Sequence, residues 1–307
     1  MRFKIRRLAL IFPFILLAAC LHAEDAPGGN LFMWKVTSDS GGEAYLLGSV
    51  HMMKKDIYPL PKEMEDAFAR SKFLVLEADE SKLDQAKMQK MVMEKGMYAG
   101  DDTLAKHLSQ PTQDALKAYL DKSGVPAAMV EKTKPWMASF ALSIGAMMNM
   151  GFDPEQGIDK HFLKEAKSAD KEVLELESAD FQLALISSFS DDLQEKFLAS
   201  TLLDMESMPE DIGKMMAAWS KGDAPGLDAI FSHNLVKHPE LKSVMEKLVD
   251  ERNVGMAAKV EDYLKSKDIH FVVAGAAHMV GDKGVVKLLQ DKNFKVEQIK
   301  KSSVSAP

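Results

Sequence analysis

The chain has 307 residues, and 46% of them are hydrophobic, which is enough for a large buried core in one large domain or two smaller ones. It carries 39 Lys and Arg against 46 Asp and Glu, and this acidic balance without a basic cluster argues against nucleic-acid binding. Cys20 is the only cysteine, which excludes an intramolecular disulfide and a cysteine metal site in the folded part of the chain.

The N-terminus has the pattern of an export signal. Several cations lie within Met1–Arg7, and the apolar stretch Leu8–Ala19 that follows is too short to span a membrane. The sequence Leu17-Ala18-Ala19-Cys20 matches a bacterial lipobox, with Cys20 as the lipidated residue. The alternative is ordinary cleavage after Ala23, which leaves a soluble periplasmic protein.

These signals predict how the chain is divided and where it is located. We expect a signal peptide over residues 1–19, a polar tether over 20–30, a folded domain over 31–300 and a disordered tail over 301–307. Either route of cleavage places the protein on the periplasmic side. If it is lipidated, we expect the outer membrane, because Leu21 and not Asp follows the cysteine.

The body of the chain alternates short apolar strands with long helical stretches. Strands are predicted at Leu31–Val36, Glu43–Leu47, Phe73–Leu76, Val173–Leu176, Phe271–Gly275 and Phe294–Ile299, the first two as a hairpin. Helices are predicted at Lys62–Arg70, Lys134–Met150, Gly157–Ser168, Leu193–Leu203, Met208–Ser220, Leu241–Lys265 and Val285–Gln290. We therefore expect an α/β (α+β) fold with a central mixed sheet, flanking helices, large helical insertions and two loosely repeated halves.

One short motif occurs twice, each time directly after a predicted strand. Gly48-Ser49-Val50-His51 follows the second strand, and Gly275-Ala276-Ala277-His278 follows the fifth. Glycine allows a sharp turn and a close approach at a strand end, and the histidine then lies at the lip of the sheet, where ligands bind in open α/β folds. A single such histidine is more often a hydrogen-bonded structural residue. The duplication favours a functional pair, His51 and His278.

Two glutamates also follow predicted strands. Glu77 comes directly after Phe73–Leu76, and a carboxylate at the edge of a core needs a partner. A helix cap or a salt bridge would provide such a partner for Glu77, and so would a catalytic site. Glu177 is less distinctive, because its charged neighbours Glu172 and Glu175 are also typical of a solvated face.

Two histidines with one or two carboxylates suit a divalent cation. Imidazole and carboxylate bind first-row metals at about 2.0–2.2 Å, and two His with one carboxylate leave positions for water and substrate. Such an ion lowers the pKa of bound water towards ~7 and polarises a carbonyl. The sequence therefore predicts His51, His278 and Glu77 as metal ligands, with Glu177 as a second carboxylate that can act as general base.

Together these motifs resemble the TraB/GumN family, which includes the Tiki-type metalloproteases and the pheromone-shutdown proteins. The resemblance extends from about Leu31 to Ile299, and its most specific segments are Gly48–His51, Glu77, Gly157–Asp159, Glu177, Arg252-Asn253 and Gly275–Gly284. It implies a fold like the erythromycin-esterase/ChaN class. It also implies metal-dependent hydrolysis, which is proteolytic in the Tiki members. We expect the cofactor to be a divalent metal ion, with Mn, Co and Zn as the candidates.

The resemblance also changes the interpretation of Arg252. By sequence alone, Arg252 lies in a predicted helix beside Asp250 and Glu251, which favours a surface ion pair. The family has an arginine in a late helix, and by this resemblance Arg252 is the corresponding residue. Such an arginine can clamp a substrate carboxylate or an oxyanion. The resemblance thus implies catalytic roles for Glu77 and Arg252, and we add Glu177.

The leading hypothesis is a metal-dependent hydrolase of peptide bonds in the bacterial cell envelope, acting on a peptide or a small molecule. The alternative is a non-catalytic envelope protein that binds haem or a peptide signal, and a third is a structural lipoprotein that has lost activity. The 21 methionines, clustered in the predicted helices, suit flexible core packing or an adaptable peptide groove. The sequence leaves the substrate, the metal and the oligomeric state open.

Overall fold

The structure is a computed structural model that describes residues 29–79, 82 and 85–302. The predicted signal peptide, the lipobox with Cys20, most of the tether and residues 303–307 lie outside these ranges. Within them, no helix has the length and apolar character needed to cross a membrane.

A mixed sheet forms the centre of the fold, as predicted. Its strands are β1 Asn30–Thr37, β2 Glu43–Ser49, β3 Phe73–Leu76, β4 Glu172–Glu175, β5 Ile269–Gly275 and β6 Lys295–Lys300, in the spatial order β4-β3-β5-β2-β1-β6. The neighbours among β4, β3, β5 and β2 run parallel, whereas β1 pairs antiparallel with both β2 and β6. The predicted hairpin and the predicted closing edge strand are therefore both confirmed.

Helices cover the sheet and fill the two long connections that precede β4 and β5. In chain order they are α1 Lys62–Arg70, α2 Gln85–Gly96, α3 Gln110–Ser123, α4 Pro135–Asn149, α5 Ile158–Ser168, α6 Ala179–Ser187, α7 Asp191–Asp204, α8 Met208–Ser220, α9 Ala224–Lys237, α10 Lys242–Met245, α11 Glu251–Tyr263 and α12 Val285–Asp291. The α1 and α8 bounds are those predicted from the sequence. The predicted helical insertions are α2–α5 between β3 and β4, and α6–α11 between β4 and β5.

Strand β5 is buried along its length because it lies between β3 and β2 and is covered on both faces. Its residues Phe271, Val272 and Val273 are at most 1% exposed. A continuous apolar run of this kind is typical of a parallel strand with helices on both sides. At the end of the neighbouring β2, Gly48 lies so close to the Phe32 ring that a Cβ there would overlap it. The indole Nε1 of Trp219 donates to the Gly48 carbonyl at 2.7 Å, which fixes α8 against this strand end.

One predicted helix is interrupted. The sequence predicts a continuous helix over Leu241–Lys265, whereas the structure has α10, a π-helical turn over Glu246–Asp250, and then α11. A π turn is rare and recurs at functional sites. Here it ends at Asp250, two residues before Arg252, whose Nη1 donates to the Leu248 carbonyl at 2.8 Å. The wider turn thus accommodates a buried arginine at the start of α11.

The parallel register brings the four strand-end residues to one edge of the sheet. Across that edge they follow the order Glu177 after β4, Glu77 after β3, His278 after β5 and His51 after β2. The ladder continues past the strands, since the Glu177 amide donates to the Glu77 carbonyl at 2.9 Å. Each half of the chain therefore supplies one histidine and one glutamate to the same edge.

Candidate functional site

Glu77 is the centre of the edge cluster. Its Oε2 accepts from the backbone amide of Gly275 at 3.0 Å, and it lies 4.0 Å from His51 Nε2. Its Oε1 lies 3.6 Å from His278 Nε2. The structure thus brings together the three residues that the sequence predicts as metal ligands. Glu177 and Arg252 join the same cluster, whereas Cys20 lies outside the described residues.

The orientation of His278 is fixed by Asn253. Asn253 donates from Nδ2 to the Lys283 carbonyl at 2.9 Å, so its Oδ1 faces His278 Nδ1 at 2.6 Å. Because Oδ1 is only an acceptor, Nδ1 must carry the proton. Nε2 is therefore the ring nitrogen that faces Glu77, and in the neutral tautomer it is the atom that carries the lone pair. Both residues are 1% exposed, so water does not compete for this hydrogen bond.

A carboxylate orients His51, much as Asn253 orients His278. Its Nδ1 lies 3.3 Å from Asp159 Oδ1, which also accepts from the Ser49 hydroxyl at 3.3 Å. With Nδ1–H towards Asp159, the Nε2 lone pair of His51 faces Glu77. Asp159 comes from the first turn of α5, which approaches so closely that a Cβ at Gly157 would overlap the His51 carbonyl. This close contact accounts for the glycine at position 157.

Arg252 is buried between the two glutamates. Its side chain is 3% exposed, its Nη2 contacts Glu77 Oε1 and donates to Glu177 Oε2 at 2.7 Å, and its Nε donates to the same Glu177 oxygen at 2.9 Å. The surface ion pair that the isolated sequence favoured is therefore absent at this position. A guanidinium with several fixed hydrogen bonds holds both carboxylates in one arrangement.

Gln182 is a site residue that the sequence reasoning missed. Its side-chain amide donates to Glu77 Oε1 at 2.9 Å and lies 3.4 Å from Glu177 Oε2, and the residue is 5% exposed. It lies in the first half of α6, five positions after Glu177, and a polar residue on an otherwise apolar helix face was the available signal. Asp159 and Asn253 lay inside recognised motif segments, but the sequence assigned them no contact.

The electrostatics keep Glu77 and Arg252 charged. Burial alone would raise the pKa of Glu77, but His278 and Arg252 outweigh it and hold that pKa well below its usual range. Burial would likewise lower the pKa of Arg252, and the two carboxylates raise it instead. Removal of either partner would leave the other as an uncompensated buried charge.

These residues fit a divalent cation in donor type and in charge. Two imidazole Nε2 atoms face one carboxylate. The cluster holds three carboxylates (Glu77 and Glu177 against Arg252, and Asp159 against His51) but only one guanidinium, so added positive charge would be stabilised. There is also space, because a Cβ at Gly275 would lie 3.5 Å from Glu77 Oε2 and 3.6 Å from His51 Nε2.

The distances from Glu77 to His51 and His278 are slightly longer than those between ligands of a bound metal ion. Ligands of a tetrahedral ion at about 2.1 Å lie about 3.4 Å apart. Within residues 29–79, 82 and 85–302, no group of three or more His, Cys, Asp or Glu side chains has the arrangement of a metal site. The two histidine–glutamate separations of 3.6 and 4.0 Å would have to shorten by a few tenths of an ångström to close around an ion.

The remaining histidines with described contacts have partners outside the edge cluster. His161 bonds Glu65 at 2.8 Å and packs on Tyr58. The others have partners of their own: His107 with Asp102, His238 with Asp204, and His270 with the Asp268 carbonyl. The duplicated glycine motif thus identified the two histidines that meet a common carboxylate.

The sheet order and the edge cluster define a mixed α/β protein with a His–His–carboxylate site. The model of the TraB/PrgY/gumN family matches residues 32–298, and the chain therefore belongs to that family, as the motifs predict. Two relatives are both described as uncharacterized protein YbaP, one from Shigella flexneri and one from Escherichia coli (strain K12). Each is 24% identical over 270 residues, which cover 85% of this chain and 94% of the relative. No solved structure was found to match the chain.

Proposed function

We propose that this protein is a metal-dependent hydrolase that cleaves peptide bonds. The proposal rests on one observation: the Nε2 atoms of His51 and His278 both face Glu77, while their Nδ1 atoms are committed to Asp159 and Asn253. Polar partners of this kind orient ligand histidines and increase their basicity. His51, His278 and Glu77 would hold the ion, with Mn, Co and Zn as the candidates. When bound, such an ion supplies Lewis acidity to a carbonyl and to water.

Glu177 is the group best placed to move a proton. Its contacts with Arg252 and Gln182 involve Oε2, which leaves Oε1 to accept a proton from an attacking water. Arg252 acts in this scheme as a positioning residue that holds Glu177 and Glu77 side by side. Its hydrogen bonds to the two carboxylates and to Leu248 replace the substrate clamp that the sequence suggested.

The direct test is cleavage of peptides by protein purified without a histidine tag. Mass spectrometry would follow a peptide mixture incubated with Mn²⁺, Co²⁺ or Zn²⁺, and in parallel with EDTA. We expect cleavage that EDTA abolishes and that one of the ions restores. Stoichiometric binding of haem or of a peptide without any cleavage would favour the non-catalytic envelope protein instead.

The Glu177→Gln variant is expected to bind metal normally but to turn over slowly. Loss of a general base typically lowers kcat by about 10²–10⁴-fold, whereas the predicted ligands are unchanged. Steady-state kinetics on a quenched fluorescent peptide and metal analysis of the same sample would measure both quantities. Glu172→Gln is the matched control, because Glu172 is an exposed carboxylate on β4 outside the cluster. An unchanged kcat in Glu177→Gln would remove Glu177 from the mechanism.

We further propose that the enzyme acts on the periplasmic side of the cell envelope, tethered by a lipid on Cys20. The support is the sequence of the export signal and the lipobox. The Cys20→Ser variant should leave the membrane fraction and be found as soluble protein or as uncleaved precursor. If the wild-type protein is already soluble and begins at Glu24, ordinary secretion replaces lipidation.

A further inference from the structure

A cleft separate from the carboxyl edge lies among the helical insertions. It has a volume of about 220 Å³ and is bounded by α4, α7, α8, α9 and the segment from His238 to Leu248. Its walls are mainly apolar and include Phe140, Phe197 and Val244, while Arg252 lines it as well. Arg252 therefore contacts both this cleft and the two glutamates of the candidate site.

The volume of the cleft restricts what it can hold. A cavity of about 150 Å³ lined by aliphatic and aromatic side chains accepts benzene, so this cleft is large enough for one aromatic or long aliphatic side chain. Sites for whole drug-sized ligands typically measure about 300–1,000 Å³. The cleft of about 220 Å³ thus suits one large apolar group and not a cofactor such as haem.

The charges around the cleft favour a neutral group over a fatty acid. Two carboxylates line the cleft. Asp204 is already paired with Lys237 and His238. Asp211 lies 4.0 Å from the exposed Lys214, and it is the carboxylate that would repel an anionic head group beside it. Arg252 gives no compensation, because it is buried and already bonded to two carboxylates. A peptide in which the backbone is uncharged avoids this repulsion.

A buried hydroxyl gives independent support for a polar ligand atom. Ser143 lines the cleft from α4, is 1% exposed, and its Oγ has no hydrogen-bond partner in the described part of the chain. An unpaired buried hydroxyl is unfavourable, and an amide group of a bound peptide would supply the missing hydrogen bond.

We infer that the cleft is the specificity pocket of the candidate hydrolase and takes one large apolar side chain of a peptide substrate. The inference rests on the proposed function and deepens it by naming the substrate class. Peptides with Leu or Phe at the position that enters the cleft would be preferred to those with Ala. The side chain would contact Arg252, which lines the cleft and is bonded to Glu77 and Glu177.

Binding in EDTA tests this inference without any need for turnover. The full chain would be titrated by calorimetry with N-acetylated peptide amides Gly-Gly-X-Gly-Gly, where X is Ala, Leu or Phe, and with decanoate. We expect the Leu and Phe peptides to bind about 10- to 50-fold more tightly than the Ala peptide, because each buried methylene contributes about 0.8 kcal/mol. Equal binding of the three peptides, or tighter binding of decanoate, would overturn the inference.

Variants that fill the cleft provide the second arm. Ser143→Leu should remove the preference for Leu and Phe, and Thr201→Leu on the opposite helix α7 should do the same if the first variant does not fold. Ser168→Leu is the matched control, since Ser168 is exposed at the end of α5. An unchanged preference in a folded cleft variant would contradict the assignment.

The two proposals fail in different ways. Selective binding of Leu and Phe peptides, without cleavage in the presence of any of the metals, would support the cleft assignment and refute the proposed hydrolase activity. Cleavage at the same rate whether X is Ala, Leu or Phe, and unaffected by Thr201→Leu, would support the hydrolase activity and refute the cleft assignment.

Discussion

His278→Ala is expected to lower the affinity for a divalent cation by more than about 100-fold, and His51→Ala should do the same. Loss of a partner that only orients a ligand typically costs 10–100-fold, and these substitutions remove the ligands themselves. Both histidines face Glu77 with Nε2, so neither can compensate for the other. Metal analysis after dialysis against a defined concentration of Mn²⁺, Co²⁺ or Zn²⁺ would measure the loss.

Two controls separate this effect from unfolding. His107→Ala and His161→Ala remove histidines that pair with Asp102 and Glu65, which are not members of the cluster, and they should retain the metal. Circular dichroism of each variant would establish that the fold persists. Full metal occupancy in both His51→Ala and His278→Ala would refute the assignment of the ligands and, with it, the basis of the proposed function.

Arg252→Gln is expected to be the most destabilising single change at the site, with a loss of about 3–5 kcal/mol in the free energy of unfolding. The substitution leaves Glu77, which is 8% exposed, without its cationic partner. The double variant Arg252→Gln/Glu77→Gln removes the stranded charge and should recover part of the loss. Urea unfolding in EDTA would measure all three proteins. If Glu77→Gln lowers the free energy of unfolding by the same amount in the wild-type protein and in the Arg252→Gln variant, the two side chains are not coupled.

The pairing of Glu77 with Arg252 should also make the free energy of unfolding depend on pH in the acid range. Because the pKa of Glu77 is depressed in the folded state, its ionised form contributes stability that is fully present above the unfolded pKa of about 4.3. That contribution is lost as the pH falls through the folded pKa. In metal-free protein, the difference in unfolding free energy between wild type and Glu77→Gln should shrink as the pH falls below about 5. A difference that stays constant in acid would contradict the depressed pKa.

The strands and their terminal residues could be predicted because their signals are local. Phe73–Leu76 is a short apolar run that ends at a charge, and this pattern placed Glu77 at the sheet edge before any tertiary contact was known. The repeated glycine motif did the same for His51 and His278. Parallel strands then align their carboxyl ends, so one edge was the natural meeting place.

The polar groups around that edge could not be predicted, because they depend on how distant helices pack. Gln182 from α6 and Asp159 from α5 reach the cluster only after both insertions have folded onto the sheet. Arg252 has acidic neighbours in the sequence, and its burial depends on Glu77 and Glu177, which meet it only across the assembled sheet edge. The cleft is likewise made by five helical segments with no common sequence signal.

The position of β5 has a consequence for the order of assembly. This strand lies between β3 and β2, yet it is synthesised after almost the entire remaining chain. Until Ile269–Gly275 is available, β3 and β2 have no hydrogen-bonded connection to each other, and Glu77 lacks both His278 and the Gly275 amide. Non-local strand pairing of this kind carries a large loop-closure cost and slows folding. The cluster therefore cannot be complete before β5 and His278 are present, and a chain truncated before β5 carries no assembled site.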